Sequence, residues 1–109
     1  LVQHSLPMML ELSAQGVSPV ETVVEKMCHA PARLFGVRDR GFLRTGHFAD
    51  IVLVRPADPW TVSKENILYK CGWSPLEGTA FSHRVVRTLV YADGRVDTAH
   101  RGAELEFDR

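Results

Sequence analysis

The residues of this chain with chemistry to offer are five histidines, two cysteines and one aspartate at the head of an apolar run. The histidines are His4, His29, His47, His83 and His100. A catalytic zinc site usually draws three protein ligands from rigid elements, often through short spacings such as HxH, HExxH or HxxxH. None of these spacings occurs, and the histidines read as five surface or loop residues. Cys28 and Cys71 lie far apart and form no CxxC. They read as buried thiols in a reducing cytosol. Cys28 and His29 are neighbours on a predicted helix, so their side chains diverge and do not make a nucleophile–base pair. There is no GxSxG elbow, no Walker A loop and no GxGxxG. Asp50 reads as a turn carboxylate that accepts nearby backbone N–H groups. No residue is therefore put forward as catalytic or as a metal ligand.

The elements around these residues change character along the chain. Ser5, Leu6 and Pro7 predict a helix start with Ser5 as cap, continuing to a stop at Gly16. Ser18-Pro19-Val20-Glu21 reads as a capping box. Behind it Val20, Val23, Val24, Met27 and Cys28 recur at helical spacing, predicting an amphipathic helix that ends near His29. Pro31 then opens a short helical turn that stops at Gly36. After Gly36 the signals turn to strands. Ile51 to Val54 predicts a buried strand, Pro56 to Pro59 a loop, and Trp60 to Val62 a short extended piece. Glu65 to Tyr69 reads as one helical turn, and Cys71 to Gly78 as irregular chain. Arg84 to Ala92 and Arg95 to Thr98 predict a hairpin turning at Asp93-Gly94. The tail from Ala103 to Arg109 reads as polar and loosely held.

Composition excludes several classes. The 109 residues carry 13 basic and 13 acidic side chains and are 45% hydrophobic, which fits a globular chain without a field for nucleic acid or anionic membrane. No apolar run approaches the roughly 20 residues of a membrane helix. No basic start or cleavage site of a signal peptide is present, so a cytoplasmic protein is expected. The absence of an initiating Met raises the expectation that the chain begins inside a longer reading frame. The helices have one-sided apolar faces, and three or four short strands make a poor sheet alone. Both halves read as parts that expect more protein.

Three stretches carry a family resemblance. Gly46 to Val54, GHFADIVLV, resembles the strand of the small β domain found beside the barrel in cyclic amidohydrolases. Val24 to Phe35, VEKMCHAPARLF, resembles the helix and "NPA-x-LF" turn that close their (β/α)8 barrel, with Ala30 in place of the usual Asn. Lys64 to Gly78, KENILYKCGWSPLEG, followed by Thr88-Leu89-Val90 and Gly94-Arg95-Val96, is similar to the C-terminal end of dihydroorotases. The resemblance runs over about nine tenths of the chain. It implies an α+β segment of an α/β protein. Residues 1–40 would be terminal helices of the barrel, and residues 41–109 part of the small accessory β domain.

The resemblance also implies a reaction and a division of labour. Such enzymes interconvert dihydroorotate and N-carbamoyl-L-aspartate in pyrimidine biosynthesis. Their two zinc ions are held by an HxH pair, a carboxylated lysine, two further histidines and an aspartate, all upstream of the region matching Leu1. No zinc ligand is matched here, and this segment alone is expected to be inactive and to bind no zinc. Leu1 to Pro7 resembles the stretch after the last barrel strand, whose backbone contacts the pyrimidine ring. Leu1 stands where that stretch usually has Gly. Leu1 and Val2 are thereby the candidate substrate contacts. The implied partners are the N-terminal part of the barrel, a second copy in a homo-oligomer, and aspartate transcarbamoylase. Three rival readings stand beside this one. They are the same portion of a dihydropyrimidinase or allantoinase, a non-catalytic assembly module, and a free-standing binding domain.

Overall fold

The computed structural model describes residues 2–92, 95–97 and 102–108. A 3-10 turn, Val2–His4, leads into α1, Ser5–Ala14. Pro7 sits in the first turn of α1, where a missing N–H leaves no helical bond unmade. Ser5 is not the cap. It is the first helical residue, and its hydroxyl donates to the carbonyl of Val2 at 3.0 Å. Gly16 stops the helix as expected. At φ +78° it lets its own N–H reach Ser13 O and the N–H of Val17 reach Leu12 O, both at 3.0 Å, the double bond of a Schellman close.

The second helical path runs further than the sequence predicts. It comprises α2, Val20–Val24, a π-helical stretch, Glu25–His29, and α3, Ala30–Leu34. Pro19 itself occupies the N-cap, at φ −66° and ψ 153°, with no side-chain bond. The predicted capping box of Ser18 and Glu21 therefore does not form. Pro31 does not start a separate turn either. A proline inside an α-helix lacks the N–H and drives its ring at the carbonyl four residues back, here Met27. One wide turn relieves this: Ala30 N–H donates to Glu25 O, five residues back, and the path continues through Pro31.

The strands form a three-stranded antiparallel sheet in the order β1-β2-β3, with β1 Ile51–Thr61, β2 Ala80–Ala92 and β3 Arg95–Asp97. The expected loop at Pro56 to Pro59 is instead part of β1. Ile51 pairs with Leu89 and Trp60 with Phe81, and the register slips between Pro56 and Trp60. A bulge tolerates proline, because the extra residues make no ladder bond. The run from Ile51 to Val54 is a strand but not a buried one, since Val52 and Leu53 stay exposed. The predicted turn residues Asp93 and Gly94 lie outside the described residues, while the flanking pair Ala92 and Arg95 is in register.

Between β1 and β2 the 3-10 turn Lys64–Asn66 carries a real capping box at Ser63, and Cys71 to Gly78 is irregular. The core is small. Val62, Phe81, Pro7 and His4 are buried where α1 lies on β2, and Val23 and Ala32 are buried along the second helical path. Glu11 ties α1 to the sheet by accepting from Ser82 N–H at 2.9 Å and from Ser82 Oγ at 2.7 Å. The tail is held rather than loose between Glu106 and Asp108. Val37 and Phe107 form a β-bridge, Arg38 N–H donates to Glu106 O, and Asp108 N–H donates to Gly36 O.

Candidate functional site

The start of the chain is where the sequence placed its substrate contacts. Leu1 lies outside the described residues. Val2 is 88% exposed and begins the 3-10 turn, so its N–H falls outside the helical ladder. The next two residues are fastened to distant chain. Gln3 Nε2 donates to Asn66 O at 2.7 Å, Gln3 Oε1 accepts from Leu68 N–H at 2.8 Å, and Gln3 N–H donates to Tyr69 Oη at 3.1 Å. No motif announces these bonds, because an amide side chain carries none.

His4 corrects the expectation of a surface histidine. It is 1% exposed, with ring centroids 6.0 Å from Tyr69, 6.1 Å from Trp60 and 6.3 Å from Phe81. Neither ring nitrogen has a hydrogen-bond partner. Burial pushes its pKa below the ordinary 6.5, because desolvation disfavours the charged form. Trp60, which walls this box, donates its indole N–H to His83 O at 2.7 Å, and the Arg84 guanidinium lies over its ring.

The other histidines do not converge on a metal. His29 stacks on Phe42 at 4.4 Å and pairs with Glu25 at 3.1 Å through Nδ1. His47 meets Phe42 edge-on at 6.3 Å. His83 Nδ1 lies 3.1 Å from Ser82 Oγ, and His100 lies outside the described residues. Among the described residues no three His, Cys, Asp or Glu side chains are grouped to hold a metal ion. The cysteines also depart from expectation: Cys28 and Cys71 are both exposed free thiols.

Asp50 does more than close a turn. It forms an ion pair with Arg40, whose side chain is 9% exposed, and its other oxygen accepts from Tyr91 N–H at 2.9 Å. Arg40 also lies over the Phe48 ring at 4.2 Å. These bonds are long-range, so the expected nearby backbone donors are not what Asp50 uses. Beside them, Val24, Cys28, Phe42, Leu43, Ile51 and Val52 line an open, mostly apolar hollow of about 620 Å³. Glu11 is held below the usual carboxylate range, first by the Ser82 hydroxyl and then by the Ser82 N–H. Glu65 is lowered chiefly by the Ser63 side chain.

The described residues thus make an α+β unit with an exposed, well-anchored start and an open apolar flank. No helix among them is long and apolar enough to cross a membrane. No protein-family model matches the chain. Individual proteins do. The chain is 37% identical over 95 residues to a dihydroorotase of Geotalea daltonii, covering 87% of this chain and 22% of that protein. It is 30% identical over 89 residues to a dihydroorotase of Pyrococcus furiosus, covering 82% and 21%. It is 38% identical over 97 residues to an allantoinase of Bacillus velezensis, covering 84% and 21%. The resemblance to dihydroorotases drawn from the motifs is shown by these matches. The chain spans about a fifth of the length of the curated relatives it matches.

Proposed function

We propose that this chain is the C-terminal portion of a dihydroorotase, an enzyme that interconverts dihydroorotate and N-carbamoyl-L-aspartate. The observation that carries the reading is the pattern of coverage. More than four fifths of this chain aligns with dihydroorotases, yet it accounts for only about a fifth of each. The two motifs that pointed there from the sequence are both ordered: GHFADIVLV leads into and forms the first part of β1, and KENILY forms the turn that receives Gln3.

The two zinc ions of such an enzyme do not fit the residues described here. His4 is walled in by aromatic rings, and His29 offers only a Glu25 partner. A metal site would therefore use side chains of the preceding polypeptide, and no step of metal chemistry falls to these residues. Their contribution is structural and positional. Residues 1–40 would close the barrel, residues 41–109 would contribute to the small β domain, and Leu1 and Val2 would meet the substrate with their backbone. The exposed apolar flank around Val24 and Val52 supports the view that more protein packs here, since an apolar hollow left in water forfeits its burial free energy.

The allantoinase match at 38% identity favours a second reading, the same portion of an enzyme acting on allantoin. Two grafts separate the readings. This chain replaces the matched fifth of the Geotalea daltonii dihydroorotase in one and of the Bacillus velezensis allantoinase in the other, and each is assayed on its host's substrate. The dihydroorotase graft is expected to keep the larger fraction of its host's turnover. A larger fraction kept by the allantoinase graft assigns the second reading. Two folded grafts that keep their hosts' metal and turn over neither substrate refute both.

A further inference from the structure

The KENILY segment remains without a role once the resemblance has been drawn, and the structure supplies one. The side-chain amide of Gln3 reaches across the fold to the carbonyl of Asn66 and the N–H of Leu68. One acceptor and one donor two residues apart are the edge that an extended residue offers to a strand neighbour. Gln3 occupies that edge in place of a strand. Its own N–H adds a third bond, to the Tyr69 hydroxyl. Tyr69 in turn forms one wall of the box around His4, so two consecutive residues are fixed by one segment more than sixty positions away.

Such an anchor is more than α1 needs. The helix is already tied to β2 by Glu11 on Ser82 and by the burial of His4 and Pro7. The side-chain entropy a glutamine gives up to be held in one rotamer largely offsets what its two half-exposed hydrogen bonds return. The clamp is therefore a weak device for stability and a strong one for geometry. What it fixes is the residue just before it, Val2, exposed and ordered, with an N–H outside the helical ladder.

We propose that Gln3 is a positioning residue for substrate binding: clamped by Asn66, Leu68 and Tyr69, it sets where the Val2 backbone meets the ligand. This rests on the reading of the chain as part of a dihydroorotase. Gln3 itself does not touch the substrate. Its effect passes through the placement of Val2, so its loss weakens binding more than turnover.

The test uses the dihydroorotase graft described above, with Gln3→Ala and Tyr69→Phe, and Glu11→Gln as a variant that loosens α1 elsewhere. Gln3→Ala is expected to raise KM for dihydroorotate about tenfold, ~1.4 kcal/mol, with kcat within about twofold. Tyr69→Phe, which removes one of the three bonds, should raise KM by roughly two- to threefold on the same scale. Glu11→Gln should leave KM unchanged. If Gln3→Ala and Glu11→Gln lower thermal stability alike and neither moves KM, the positioning role is overturned. Hydrogen exchange of the Leu68 amide, followed in the same graft, tests the clamp without any turnover. Faster exchange in Gln3→Ala is expected, and unchanged exchange overturns the clamp. An unsubstituted graft without turnover overturns the dihydroorotase reading and the substrate role with it.

Discussion

Replacing His4 with Phe should remove a pH dependence that few other groups in this chain can imitate. His4 is enclosed by Trp60, Tyr69 and Phe81, and both ring nitrogens are unpartnered. The folded protein holds it neutral, with a pKa below 6.5, while the unfolded chain protonates it near the ordinary value. The unfolded state then binds more protons than the folded one, so stability rises with pH through this window. The contribution is fully present above about pH 6.5 and is lost as pH falls towards the folded value. One proton gives a limiting slope of about 1.4 kcal/mol per pH unit. For a domain of this size that corresponds to roughly 4–8 °C in Tm per kcal/mol. Glu11 acts in a separate window. Its lowered pKa supports stability above the ordinary 4.5 and is lost only as pH falls below it. Urea unfolding from pH 5 to 7.5 should therefore show a steeper rise of stability with pH in the native chain than in His4→Phe. At pH 7 the variant should be at least as stable, since it deletes two buried unpaired nitrogens and keeps the ring. A slope undiminished in His4→Phe, or a native chain with no slope, would refute the argument.

Two further substitutions address packing. Asp50→Ala leaves the buried Arg40 guanidinium and the Tyr91 N–H without their partner. Because Asp50 is about one-third exposed, we expect a loss of about 2–3 kcal/mol rather than the full penalty of a buried pair. A double cycle with Arg40→Met should show coupling at the same sites, read from denaturant midpoints. Gly41→Ala should be worse than its single methyl implies. Gly41 has φ +81°, and a Cβ there would meet Ala32 Cβ at 2.5 Å and Cys28 O at 2.8 Å. Strain and overpacking together should cost about 2–4 kcal/mol, seen as a lower denaturant midpoint at unchanged slope.

The local signals of the sequence translated well. Pro7 inside the first turn and Gly16 just past the last gave α1 its extent, and the β-branched run after Asp50 became a strand. What escaped was set by partners far along the chain. His4 is buried because Trp60, Phe81 and Tyr69 arrive from β1, β2 and the chain between them, and nothing near His4 announces them. Pro56 and Pro59 read as a loop because the slip in register that accommodates them belongs to the pairing with β2, not to β1 alone. The segment from Glu106 to Asp108 looked unattached because its partners, the backbone of Gly36 to Arg38 and the Arg38 guanidinium that pairs with Glu106 and Asp108, lie about seventy positions away. The exposed cysteines invert a sound expectation, for thiols are usually covered; Cys28 lies bare on the open flank. At the start of the chain, the motif likeness pointed to Leu1 and Val2. The bonds of Gln3 to Asn66, Leu68 and Tyr69 lie beside them and carry no such likeness.

The wide turn at Glu25–His29 also sets direction. Each residue of an α-helix advances about 100° around the axis, and a π turn inserts one residue without that advance. In an unbroken helix Val24 and Leu34 would lie about 80° apart and share one flank. With the insertion they are separated by about 180°. Both are exposed, at 41% and 77%, and so they face opposite ways. A rod with one greasy stripe can rest against a single neighbour, whereas this one is built to be sandwiched between two. Were the same residues wound as plain α-helix, the two flanks would merge and the middle layer would become an outer one.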